Sequence, residues 1–298
     1  MTSTSFHAMG SKITVTMDGS AAVPAEVRGW FLDWEACLSR FRPESELSQL
    51  NQQAGRPVAV SETLWAVLQA ALAAARQTDG LITPTVLPAL EAAGYVRPFH
   101  ELNAFQTPQV LKTCEVSLAE NIQLDLATRK IHIPPNMRLD LGGFAKGWAA
   151  DEAARRLAST APTLVDAGGD IAVSGPRRDG SAWPVGIGHP QNAPQQAAVF
   201  PLASGGLATS GRNYRKWMKD GRPQHHLIDP RTGQPAHTDV LTASVAAASA
   251  LAAEVAAKMA LLLGSLAGLA WLEARQLAGI LFLENGQILA SGVSVHGQ

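Results

Sequence analysis

Cysteine is almost absent from this chain: 298 residues hold two, Cys37 and Cys114. They form no C-x-x-C pair and no metal-type cluster, which excludes a disulfide framework and leaves two inert or buried thiols. Charge imbalance is absent too. With 24 Lys and Arg against 25 Asp and Glu the net charge is −1, so nothing pulls the chain as a whole toward nucleic acid or an anionic membrane. Charged residues are only 16% of the sequence and hydrophobic ones 46%, a balance that excludes a disordered chain and supplies a sizeable core. No apolar run reaches the ~18 uninterrupted residues of a membrane span. The most apolar stretch, Val240 to Trp271, is broken by Glu254 and Lys258. The opening MTSTSFHAMGSKITVTM has no apolar signal region and no lipoprotein cysteine, from which we expect a cytoplasmic protein. Rossmann and P-loop spacings both fail, and no internal repeat is present.

What is present is a patterned mixture of helices and short strands. Alternation predicts a strand over Lys12–Met17, and Val27, Trp30, Phe31 and Trp34 share one face of a helix over Pro24–Leu38. Ser45 caps a short helix in FRPESELSQL, and Ser61 caps a helix running to Thr78. Proline keeps GLITPTVLP from being a long helix. Residues 95 to 120 show no period and read as an excursion. Ile122–Leu126 and Lys130–Ile133 form a hairpin. Met137–Leu141 reads as a strand leading to a glycine turn and the helix Ala145–Leu157, where Asp151 and Arg155 are spaced as an i,i+4 pair. Strands follow over Thr163–Asp166, Ile171–Ser174, Trp183–Gly188, Val199–Leu202, Gly206–Thr209 and Val240–Ala246. A helix over Ser249–Leu263 ends at Gly264, and Asn285-Gly286 turns a final hairpin. Strands joined by tight turns predict an α+β fold with largely antiparallel sheets and packed helices.

The richest stretch runs from Arg138 to Gly175. In LDLGGFAKGWAAD, Gly142-Gly143 precede a helix with Lys146 in its first turn. Free N–H groups and a positive helix end suit a phosphate there, and a tight turn with a solvated lysine explains the residues equally well. Asp140 either accepts from a ligand or caps the turn after it. Gly168-Gly169-Asp170 form either a second wall of the same pocket or a simple turn between strands. His225-His226, ahead of the turn Asp229-Pro230-Arg231-Thr232-Gly233, offer a general base. Glu254 and Lys258, four apart, share a face of the late helix, as a structural ion pair or as groups facing a polar ligand or metal.

Together the segments MGS, LSRFRPESELSQLN, GLITPTV, LDLGGFAKGWAAD, LVDAGGDIAVSG, GGLATSG and HHLIDPRTGQP, in this order, resemble the FAD:protein FMN transferase family, the ApbE-like flavin transferases. The resemblance implies a T-fold-related α+β domain over residues 1–298, built of two intertwined subdomains with FAD in a cleft between two parts. It implies transfer of FMN from FAD, the substrate, to a Ser or Thr of an acceptor protein, with AMP released. FAD contacts would fall on Met9, Phe41, Leu81-Ile82-Thr83, Asp140, Lys146 and Ile228. The family's Mg2+ would be held by the Gly143 carbonyl and late-helix side chains. His226, with His225 behind it, is the candidate base. The family places Asp and Thr on the late helix where this chain has Glu254 and Lys258, and an Asp where it has Thr83. A protonated lysine cannot ligate a metal and would repel one. Two other outcomes follow from that change: a FAD pyrophosphatase, or a flavin-binding protein without transfer activity.

Overall fold

The computed structural model describes residues 1–102 and 114–294. The chain divides into two compact units. One comprises Met1–Leu32, Lys146–Asn213 and the chain from Thr238 onward; the other comprises Asp33–Ala145 and Tyr214–His237.

The first unit is built on an eight-stranded antiparallel sheet whose spatial order follows the sequence. Its strands are Thr2–Ala8, Ser11–Met17, Thr163–Ala167, Asp170–Val173, Gly205–Gly211, Val240–Ala247, Gly279–Leu283 and Ile288–Ser291. Alternation sets the faces: in Ser11–Met17, Ile13, Val15 and Met17 are fully buried while the residues between them are not. The first strand, TSTSFHA, has no apolar alternation to announce it. It is held by the ladder and by hydroxyl pairs across it, Ser3–Thr16 at 3.2 Å and Ser5–Thr14 at 3.0 Å. A hairpin of Trp183–His189 and Asn192–Leu202 packs with the sheet through Trp183, Ile187, Phe200, Leu207 and Phe282.

The helix Ala250–Leu263 packs on Gly205–Gly211 and Val240–Ala247. It is buried almost all round, as an apolar helix with little amphipathic contrast must be. Ser249 caps its start by accepting from the Ala252 N–H at 3.1 Å, and Gly264 ends it at φ 82°. A further helix, Ser265–Ala274, follows directly. No helix among the described residues is long and apolar enough to cross a membrane.

The second unit carries the helices Glu46–Gln52, Glu62–Gln77 and Leu87–Ala92 and a three-stranded sheet of Pro57–Ala59, Lys130–His132 and Gln123–Asp125. Ser45 and Ser61 cap the first two helices through the N–H groups of Ser48 and Leu64. Of the expected excursion over 95–120, residues 103–113 lie outside the described residues; Phe99–Glu101 and Ala119–Asn121 are single 3-10 turns, and Tyr95 is buried.

Two local expectations are corrected. Met137–Leu141 is not a strand. Its backbone partners are a side chain and a loop: Asn51 bonds both the N–H (2.7 Å) and the carbonyl (2.9 Å) of Leu139, and Asp140 N–H donates to Pro84 O at 2.8 Å. The apolar run is buried and satisfied without a ladder. Asp151 does not pair with Arg155, which binds Glu152 instead. The Asp151 carboxylate accepts from the N–H groups of Ala250 (2.8 Å) and Leu251 (3.0 Å), capping the late helix from outside. Asp151→Ala should lower stability by about 1–2 kcal/mol, the usual cost of a lost cap, read as a fall in urea midpoint at constant slope.

Candidate functional site

Lys146 lies in the first turn of the helix Ala145–Leu157. Its ammonium meets Asp170 Oδ2 and lies 3.6 Å from Glu254 Oε1. Lys258, one turn beyond Glu254 on the late helix, binds the same Oε1 at 2.8 Å. The Gly147 N–H donates to Glu254 Oε2 at 3.3 Å. This closeness depends on Gly147 having no side chain: a Cβ there would sit 2.9 Å from the backbone N and Cα of Leu251. Two lysines and two carboxylates from three elements thus form one cluster within the first unit. Both carboxylate side chains are 4% exposed, whereas the Lys146 and Lys258 side chains are 15% and 14% exposed.

The environment separates the two acids. Burial, reinforced by the Glu254 charge, pushes Asp170 up to about 6, against the opposing pull of Lys146 and Lys258. Burial acts on Glu254 in the same sense, but Lys258 and Lys146 outweigh it and hold its pKa below the usual carboxylate value.

Asp170 follows directly on Gly168-Gly169, the two-residue turn of its hairpin, with φ 70° and 96°. A Cβ at Gly168 would fall 2.6 Å from the Ser11 side chain, and the Gly169 N–H donates to Asp166 Oδ1 at 2.7 Å. Gly168-Gly169 thus form the turn between the two strands, and that turn delivers Asp170 to Lys146. On the neighbouring hairpin Met9-Gly10 is a second two-residue turn, with Met9 at φ 53°. Left-handed backbone at a methionine stores strain of order 1–3 kcal/mol and marks the residue as held there for a reason. Met9→Asn, which tolerates that conformation, should raise stability by about 1 kcal/mol in thermal or urea unfolding.

In the second unit Asp140 caps the turn after it, where Oδ1 accepts from Gly142 N–H at 3.0 Å, and its Oδ2 pairs with Arg40 Nε at 2.7 Å. Gly143 lies in the turn that follows, where Phe144 N–H and Ala145 N–H close on Leu141 O. Arg40 also donates to Tyr95 O at 2.8 Å and lies 4.0 Å over the Phe41 ring and 4.6 Å over the Tyr95 ring. Phe41, Tyr95 and Trp217 follow one another as tilted ring contacts, with centroids 5.5 and 5.1 Å apart, and Ile228 belongs to the same apolar cluster. Through Pro84 O the segment Leu81-Ile82-Thr83 adjoins Asp140; Thr83 caps the turn at Pro84–Val86 and shares a 2.8 Å bond with Thr85. The structure thus gathers Phe41, Asp140, Ile228 and residues 81–83. Arg40, Tyr95 and Trp217 join them, and their only local signal in the sequence is Arg40 standing beside Phe41.

His225 is fastened on both sides: Leu227 N–H donates to Nδ1 (3.3 Å), and Nε2 lies 2.9 Å from Ala236 O. Nδ1 therefore carries the lone pair, and Nε2 carries the proton it donates. His226 is only partly buried.

A divalent cation does not fit the late helix as built. Glu254 already answers two ammonium groups and a backbone N–H, and Lys258 offers no lone pair. Among the described residues no three His, Cys, Asp or Glu side chains converge as a metal group. At an effective dielectric of about 20, a divalent ion about 4 Å from an ammonium is repelled by about 8 kcal/mol, twice the unit-charge value.

The fold is α+β, an eight-stranded antiparallel sheet with packed helices, and a buried cluster of two lysines and two carboxylates lies at a glycine turn and a helix start. The chain matches the ApbE family over residues 9–281, and it belongs to that family. It is 34% identical over 251 residues to a protein of Treponema pallidum named FAD:protein FMN transferase, covering 77% of this chain and 68% of that one. A Vibrio cholerae protein of the same name is 30% identical over 262 residues, covering 83% and 75%. Among solved structures, the ApbE protein of Thermotoga maritima superposes with a TM-score of 0.85 at 25% identity, covering 97% of this chain and 96% of that one.

Proposed function

We propose that this chain transfers FMN from FAD to a serine or threonine hydroxyl of an acceptor protein and releases AMP. The reading is carried by the family match over residues 9–281, alongside relatives named FAD:protein FMN transferase at 34% and 30% identity. The acceptor oxygen attacks the phosphorus on the FMN side of the pyrophosphate. A new P–O bond forms, the bond from that phosphorus to the bridging oxygen breaks, and AMP leaves with the electron pair. The hydroxyl proton passes to His226. His225 has no lone pair to spare for it and serves as a positioning residue. In the second unit Phe41, Leu81-Ile82-Thr83, Asp140 and Ile228 are the proposed FAD contacts. In the first they are Met9, Lys146, Gly168, Gly169 and Asp170. Developing charge on the phosphoryl oxygens calls for fixed cations or donors.

The test is an AMP assay with FAD, with and without a serine- or threonine-bearing acceptor, followed by denaturing electrophoresis. Transfer gives AMP and a fluorescent acceptor band. Hydrolysis gives AMP and free FMN without the band, and binding alone gives neither; either of those outcomes sinks the proposal.

A further inference from the structure

The charged cluster of the first unit is ordered in depth. Its carboxylates, Asp170 and Glu254, are 4% exposed, while its ammoniums, Lys146 and Lys258, are 15% and 14% exposed. The acids lie inside, and the cations sit nearer the accessible side. Burying four charges is costly, and an apolar replacement of such a cluster is often no less stable, so packing alone does not account for it. Lys258 stands on a helix otherwise almost wholly apolar, where Glu254 fixes its ammonium at 2.8 Å. Asp170 and Glu254 together fix that of Lys146. Both lysines are thus oriented in advance, as a phosphate-binding point charge should be.

We propose that Lys258, with Lys146, is a built-in cation: it gives the FAD pyrophosphate the positive charge a divalent ion would otherwise supply, and it closes Glu254 to that ion. This rests on the FMN-transfer reading.

Mn2+ binding to the full chain, followed by electron paramagnetic resonance with and without FAD, tests the closure. FAD affinity, read from flavin fluorescence in EDTA and then in magnesium, tests the charge. We expect no stoichiometric Mn2+ in either state, and FAD affinity unchanged within about twofold by EDTA. Lys258→Ala should weaken FAD at least about tenfold, the loss of one charge-assisted bond, while Lys258→Arg retains most of the affinity. Glu254→Asp combined with Lys258→Thr should gain one equivalent of Mn2+. One equivalent bound by the unaltered chain and lost in Glu254→Gln would overturn the proposal, as would FAD binding that requires a divalent ion. If the chain binds no FAD under any condition, the FMN-transfer reading falls, while the Mn2+ titration still decides the closure.

Discussion

Replacing His226 with alanine is expected to slow FMN transfer by about 10²–10⁴-fold, the span of a lost general base, equivalent to about 3–5 kcal/mol of barrier. FAD binding, measured by flavin fluorescence, should stay within about twofold, because the residue acts on the acceptor proton and not on the flavin nucleotide. The neighbouring histidine is the control. His225 is tied to Leu227 N–H and Ala236 O, so His225→Ala leaves buried backbone groups unpaired and should cost about 1–3 kcal/mol of stability. Loss of transfer in His225→Ala at unchanged stability, with His226→Ala still active, would reverse the assignment.

Glu254→Ala carries the largest expected cost in stability, about 3–5 kcal/mol. The variant takes from Lys258 and Lys146 the largely buried carboxylate they share, and it strips the Gly147 N–H of its acceptor. Urea unfolding should show the loss as a lower midpoint. Replacing the pair together, Glu254→Leu with Lys258→Met, removes charge and partner at once and should recover most of that stability. A Glu254→Ala variant within about 1 kcal/mol of the unaltered chain would show that the cluster is solvated rather than interlocked.

Legibility in the sequence followed the range of the interaction that decides each feature. The caps Ser45 and Ser61, the helix end at Gly264 and the Asn285-Gly286 turn act within a few residues, and each lies where the pattern places it. So does the Glu254–Lys258 pair, one helical turn apart. Met137–Leu141 has the composition of a strand, but its partner is the side chain of Asn51, 88 residues away. The helix Ser265–Ala274 went unread because Gly264 signals an end and Gly268 a break. Gly268 is instead a point of close approach, where a Cβ would meet Ala260 O at 2.3 Å. The charged cluster illustrates the limit most plainly. Each of its residues stands out locally, yet Gly147 and Glu254 meet across 107 residues, and nothing local says that Lys146 and Lys258 share Glu254. Arg40 was overlooked for the same reason, since its partner Asp140 comes from a distant segment.

The intact mass of an acceptor protein after incubation with this chain and FAD, with AMP counted in the same reaction, tests FMN transfer most directly. The expected result is one FMN added at a serine or threonine for each AMP released, and no addition when His226 is alanine. AMP released with the acceptor mass unchanged would contradict it.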